Sequence, residues 1–323
     1  MISAVYSRVA ELRRSWYARP HARARLHHPV ISVGNLSVGG SGKTPIVASL
    51  ARLLLARGCR PAILTRGYAR RVHRDGVFVV SDGTRVRAGV DESGDEPLML
   101  ARILPGVPVL VSPDRYLAGI LAERQFGATV LLLDDGFQHL QLARDVDLLV
   151  VTPADLEDRV LPSGRLREPM SAARAADAVL VHGSPDDVHR VQAATGVATA
   201  FLVCRRYAPL RGIAGELGSG RRVLAVAGIA RPERFFAAAR EAGLDVAGEL
   251  AFRDHHWFTA RDVSRIARRA RALGADAVVT TDKDAVRLER VIGNDGSVPW
   301  AVLPMQAVIE PADHFERWLL AKL

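Results

Sequence analysis

The chain has 323 residues, 49% of them hydrophobic, which is enough apolar material for a sizeable core, so a disordered or fibrous protein is excluded. Its formal net charge is +9, carried almost wholly by arginine since Lys43, Lys283 and Lys322 are the only lysines; this points to an anionic partner (nucleotide phosphate, nucleic acid or acidic membrane) or to an arginine-rich compositional bias. Cys59 and Cys204 have neither CxxC spacing nor neighbouring histidines, which excludes a disulfide framework or zinc site and fits a reducing cytosol.

In residues 1–28, Ile2, Val5, Val9, Leu12 and Trp16 recur at spacings of three and four, predicting a helix with one apolar face flanked by Tyr6 and Tyr17. Arg8, Arg13, Arg14, Arg19, Arg23 and Arg25 stand against a single acid, Glu11. Such a helix either lies flat on an anionic membrane or docks its apolar face on the protein's own core. No apolar run reaches the ~18 residues of a spanning helix and no secretory signal pattern opens the chain, so at most a peripheral membrane location is expected.

The apolar strand Val30–Val33 runs into Ser37-Val38-Gly39-Gly40-Ser41-Gly42-Lys43-Thr44 and then a helix of apolar periodicity from Ile46 to Leu55. This is the strand, glycine-rich loop and helix of a P-loop, with Ser37 where the first glycine of the pattern usually stands. Loop N–H groups and the helix N-terminus favour phosphate, Lys43 reaches β/γ-phosphates, and the Thr44 hydroxyl suits Mg²⁺. Further strands are expected at 61–65, 107–112, 128–133 and 147–151, with helices at 45–57, 96–104 and 114–125. The alternation implies a parallel sheet covered on both faces.

Ser93-Gly94-Asp95-Glu96-Pro97 opens the second of these helices. Its acids are either N-terminal charges favoured by the helix dipole or the carboxylate that a hydroxyl-phosphorylating enzyme needs as a base. The strand Val130–Leu133 ends in Asp134-Asp135, an arrangement that delivers an acid to Mg²⁺ beside a P-loop; a plain turn is the alternative. Gln138 and His139 follow, as phosphate or substrate contacts or as structural groups.

The Pro/Gly/Arg-rich stretch 161–172 suggests a boundary near 155–175. Beyond it strands are expected at 178–182, 199–203, 222–227, 247–252, 276–281 and 299–303, and helices at 232–242, 259–273 and 283–290. The chain thus divides into the basic N-terminal helix (1–28), a P-loop domain (29–160) and a smaller α/β domain (175–323) whose last segment packs back on the first. Between strand and helix of the last part lie Asp254-His255-His256, whose adjacent histidines suit acid/base work better than metal binding. Thr281-Asp282-Lys283-Asp284 ends another strand, as an ion-pair cluster or a nucleotide contact across the cleft.

Together these blocks resemble the tetraacyldisaccharide 4'-kinase family. The resemblance is carried by Gly34 to Pro45, Thr65-Arg66-Gly67-Tyr68, Gly94-Asp95-Glu96-Pro97, Asp134-Asp135-Gly136-Phe137-Gln138-His139 with Arg144-Asp145, Leu161 to Pro169, Gly228 to Phe235, Asp254-His255 and Thr281 to Ala285. Ala230-Arg231 depart from the family's usual Gly-Asn. The resemblance implies a P-loop NTPase-like α/β fold and transfer of the ATP γ-phosphate to the 4'-hydroxyl of an acylated disaccharide 1-phosphate lipid. It also implies a peripheral place on the cytoplasmic face of the bacterial inner membrane and no nucleic-acid partner. By the same resemblance, Asp95 is the base, paired with His255. The expected site thus comprises Lys43, Asp95 and His255 for catalysis and residues 37–44 for ATP. Thr44, Glu96, Asp134 and Asp135 are expected to hold Mg²⁺, and Tyr68, Gln138 and His139 to meet substrate. A metallochaperone-type P-loop GTPase shares the loop and acid, but the chain lacks an N-K-x-D motif and a Cys/His relay. A nucleic-acid binder leaves Asp95, Asp134 and Asp135 unexplained.

Overall fold

The computed structural model describes residues 2–19, 21–68, 70–72, 75–293 and 298–323, the side chain of Ile2 excepted. Helix α1 (Ile2–Tyr17) precedes strand β1 (Val30–Asn35), which runs into α2 (Lys43–Ala56). The alternation continues through β2 (Pro61–Thr65), β3 (Phe78–Asp82), α3 (Val90–Ser93), α4 (Asp95–Ile103), β4 (Pro108–Val111), α5 (Arg115–Phe126), β5 (Val130–Asp134) and β6 (Val146–Val151). Next come α6 (Pro153–Leu156), β7 (Ala178–Val181), α7 (Pro185–Thr195) and β8 (Ala200–Tyr207). A second series holds β9 (Arg211–Ala214), β10 (Arg222–Ala227), α8 (Pro232–Glu241), β11 (Asp245–Ala251), α9 (Ala260–Ala272), β12 (Ala277–Thr280), α10 (Asp282–Leu288) and β13 (Trp300–Val302). The chain ends with β14 (Met305–Glu310) and α11 (Ala312–Leu320).

The strands form a nine-stranded sheet, ordered β14-β8-β7-β6-β1-β5-β2-β4-β3, and a five-stranded sheet, ordered β11-β10-β12-β13-β9. Strand β1 lies between β5 and β6 and is parallel to both; the antiparallel strands β3 and β14 close the edges. Every residue of β1 is buried, Ser32 and Asn35 included, because helices cover both faces. On one face Ile31, Val33, Leu132 and Leu148 pack with Ile46, Leu50 and Leu54 of α2; on the other Val30, Leu131 and Leu133 meet Ala118 and Ala122 of α5. The smaller sheet is sandwiched likewise, Leu224 and Val226 against Ile266 and Ala270 of α9, Val223 and Ala225 against Phe235 and Phe236 of α8.

The expected boundary near 155–175 is not where the sheets divide. Strands β7 and β8 extend the first sheet, and the second begins only at β9. The physical reason is that 158–167 folds back as a brace: Val38 N–H donates to Arg165 O (2.8 Å) and Arg167 N–H to Leu36 O (2.6 Å). The last segment does return to the first sheet, β14 pairing with β8. The two sheets also share apolar contacts, since Val286 of α10 is buried in the same cluster as Leu98 and Leu100 of α4, with Trp257 against it.

Helix α1 meets the body through its polar face. Arg14 makes a bidentate bond to buried Glu168 (2.9 Å each) and lies 4.5 Å over the Phe137 ring, while Ser3 bonds Ser163 at 2.8 Å. The apolar stripe points away: Val5, Val9, Leu12 and Trp16 are 61%, 60%, 60% and 51% exposed. Docking of the stripe on the protein's own core is therefore ruled out. Among the described residues no helix is long and apolar enough to cross a membrane.

Candidate active site

The phosphate loop hangs from the carboxyl end of β1, the central position at which ligands bind in open α/β sheets. Ser37 pairs with Leu166 in an antiparallel bridge, so the brace fixes the loop's first residues. Gly42 caps α2 at φ 80°, and a Cβ there would stand 2.7 Å from His182 Nε2, so both conformation and space call for glycine. Lys43 Nζ donates to Asn35 Oδ1 (2.7 Å) and Ser41 Oγ (3.2 Å) and lies 3.4 Å from Asp135 Oδ1. No acid stands in the first turn of α2, leaving its dipole to an external anion.

The two acids ending β5 have opposite surroundings. Asp134 is paired in register with Val33 of β1 and is buried; burial first, then the charges of Glu96 and Asp135, push its carboxyl up to about 7. Asp135 adopts the left-handed region at φ 58°, a conformation uncommon outside glycine. Burial opposes its charge, but Arg167, at 2.9 Å to each oxygen, and Lys43 hold it well below the usual carboxylate range. Arg167 also reaches Asn35 Oδ1 at 2.6 Å. Asn35, Lys43, Asp135 and Arg167 thus form one network, in which both oxygens of Asp135 are taken.

Across the cleft, Gly94 (φ 86°) sets the start of α4; a Cβ there would lie 2.7 Å from Tyr68 O. This turn places Asp95, 4% exposed, under the carboxyl edge of the smaller sheet. His255 follows β11 at φ 57°, its N–H bonded to Gly228 O at 3.2 Å, and its Nδ1 is 2.9 Å from Asp95 Oδ2. Arg287 of α10 lies 3.3 Å from the same oxygen, and Lys283 3.9 Å. Burial works against the Asp95 charge, yet the His255 bond and the Lys283 and Arg287 cations hold its carboxyl below the ordinary value. Lys283 is held above its ordinary value against burial by Glu96, Asp95 and Asp254.

The remaining expected residues fall into distinct places. Tyr68 is 73% exposed with its ring 5.9 Å from that of His255, beside the Asp95–His255 pair. Gln138 donates to Asn35 O at 3.0 Å, so its amide supports the strand end that carries the phosphate loop. His139 is pushed down to about 4 by burial and then by Arg115 and Arg144. Of the adjacent histidines, His256 turns away to Asp262 (3.2 Å), leaving His255 as the one aimed at α4. Glu96 lies 3.4 Å from Lys283, and its charge reaches Asp134. Sequence reasoning did not single out Asn35, Arg167 or Arg287. The first two sit inside the family blocks, which was the available signal; Arg287 has none, being one arginine among many.

Comparison with known proteins sharpens the picture. A model of the LpxK family, tetraacyldisaccharide-1-P 4'-kinase, matches residues 1–323. The tetraacyldisaccharide 4'-kinase of Geobacter metallireducens is 42% identical over 317 residues, 94% of this chain and 92% of that one. That of Anaeromyxobacter sp. Fw109-5 is 45% identical over 282 residues, covering 83% and 75%. The crystal structure of LpxK from Aquifex aeolicus in complex with ATP superposes with a TM-score of 0.80 at 32% identity, covering 99% of this chain and 97% of that one. A P-loop beside a strand-end acid, a carboxylate–histidine pair joining two sheets and a family model that matches the chain from residue 1 to 323 converge, and the chain belongs to the tetraacyldisaccharide-1-P 4'-kinase family.

Proposed function

We propose that this chain transfers the γ-phosphate of ATP to the 4'-hydroxyl of an acylated glucosamine disaccharide 1-phosphate at the cytoplasmic face of the inner membrane. The observation that carries the reading is the 2.9 Å contact of Asp95 with His255, a buried carboxylate of the P-loop half held by the second sheet. Backbone N–H groups of Gly39, Gly40, Ser41 and Gly42 with the α2 N-terminus cradle the phosphates, while Ser37 and Val38, tied to the brace at Leu166 and Arg165, fix the start of the loop. Lys43 exchanges Asn35 and Asp135 for the β/γ-phosphates, and Arg167 keeps Asp135 ionised.

Asp134, crowded by like charges and with no cation bonded to it among the described residues, fits Mg²⁺, with Glu96 and the Thr44 hydroxyl as further hard oxygen donors. Bound there, Mg²⁺ would neutralise charge on the β- and γ-phosphates. Asp135, paired with Arg167 through both oxygens, stands beside Asp134 as a further acid on the metal side. Asp95 accepts the sugar hydroxyl's proton while His255 orients it and spreads its charge. Tyr68 borders the acceptor sugar, and His139 serves the same side of the P-loop half. The exposed stripe of α1 seats in the lipid interface with its arginines on anionic headgroups.

Assaying ATP against GTP, with and without the acylated disaccharide, tests this reading. Phosphate should appear on the lipid from ATP. Hydrolysis of GTP at the same rate with and without the lipid would restore the GTPase alternative.

A further inference from the structure

Lys283 occupies an unfavourable place for a cation. It lies in the first turn of α10, whose N-terminal dipole end repels positive charge. Its ammonium is nonetheless enclosed, with the side chain 18% exposed. Nζ lies 3.4 Å from Glu96 Oε1, 3.4 Å from Asp254 Oδ1, 3.4 Å from His255 Nε2 and 3.9 Å from Asp95 Oδ2. Four side chains from two elements of the cleft thus meet at one ammonium.

The two oxygens of Asp95 are loaded unequally. Oδ2 faces His255 Nδ1 (2.9 Å), Arg287 Nη2 (3.3 Å) and Lys283. Oδ1 accepts the Glu96 N–H at 3.0 Å, its single hydrogen bond among the described residues. A carboxylate oxygen offers about two lone-pair sites, so Oδ1 keeps one for a further donor. Arg287 is committed elsewhere, to Asp284 (2.9 Å) and the carbonyls of His256 and Gly228, as part of the second sheet's framework.

Resting on the reading of Asp95 as the base, we propose that Lys283 is a positioning residue for phosphoryl transfer, pinning Asp95, Glu96 and His255 so that Asp95 Oδ1 is the atom that takes the acceptor's proton. In that step the hydroxyl O–H bond breaks and the proton passes to Oδ1. The freed oxygen pair forms the new bond to the γ-phosphorus, and the bond to the bridging oxygen breaks, its electron pair leaving with ADP. Lys283 touches neither phosphate nor acceptor; it acts through the groups it holds together.

The test compares K283M, K283Q and K283R with D95N in the full-length protein, measuring kcat, KM for both substrates and the Kd for ATP alone. K283M should lose roughly 10²-fold in kcat, the scale of a misplaced reacting group, with ATP affinity unchanged and partial recovery in K283R. In the H255A background the K283M loss should shrink, because both act through Asp95. Weakened ATP binding in K283M would put Lys283 on the nucleotide and overturn the proposal, as would full activity. Should K283M not fold, K283Q carries the same comparison. Full activity in D95N would instead remove the base reading itself, whatever the Lys283 variants do.

Discussion

Two buried aspartates line the same cleft and have opposite electrostatic fates. Asp134 is 3% exposed and Asp95 4%, so desolvation alone would push both carboxyls up. It does so for Asp134, whose neighbours Glu96 and Asp135 add like charge. For Asp95 the second sheet supplies His255, Lys283 and Arg287, and the charge is held. Cations of the second sheet thus outweigh burial at Asp95, whereas at Asp134 the charges of Lys43 and Arg115 do not. On the proposed reading the first carboxylate carries its charge before substrate arrives, and the second takes up a proton until a cation binds.

Removing Asp95 should have the largest effect. Asp95→Asn should lower kcat by about 10²–10⁴-fold, the usual worth of a positioned base, while ATP binding survives. Loss of ATP affinity would make Asp95 a nucleotide-side group and erase the contrast with Asp134. Next, Lys43→Ala should cost on the order of 10²–10³ in rate at saturating ATP. Near-normal turnover in that variant would remove the P-loop from the chemistry.

Asp134→Asn sharpens the comparison through pH. Its carboxyl titrates at about 7 in the folded chain, against about 3.9 unfolded, so the native state binds more protons in between. Stability of the metal-free protein should therefore fall as pH rises through that window, and the variant should escape the fall. Thermal melts without Mg²⁺ at about pH 5 and about pH 8 should show the variant's advantage growing with pH. Calorimetry should also show weaker Mg²⁺-dependent ATP binding in the variant. A constant melting gap would mean that Asp134 carries no suppressed charge.

How much of this was legible in the sequence depends on distance along the chain. The P-loop and Asp134 were readable because each is contiguous: a strand, then the chemistry at its end. Asp95 and His255 lie 160 positions apart, and their pairing came from resemblance, since no periodicity links them. The segment 161–172 was misread as a boundary because Pro, Gly and Arg look like a linker until its backbone bonds to Leu36 and Val38 are seen. Helix α7 buries only Val191 and Thr195, too few for an apolar period, and was not expected. The α1 pattern was plain, but its direction was not; Arg14, paired with Glu168, turns the stripe outward.

The smallest expected effect is on that surface. Replacing Val9, Leu12 and Trp16 with serine should shift the protein from anionic vesicles to solution, and added salt should do part of the same by screening arginines worth about 1 kcal/mol each. Activity on detergent-dispersed lipid should persist, since none of these side chains touches the cleft groups. Unaltered vesicle binding would place the lipid contact elsewhere.

The most direct test of a carboxylate compensated from the second sheet is the cycle of Asp95→Ala, His255→Ala and the double variant, read as kcat with ATP binding monitored throughout. If the two act as a unit, the double variant is little worse than the poorer single one. Fully additive losses would separate His255 from Asp95 and leave the 2.9 Å contact as structure without catalytic consequence.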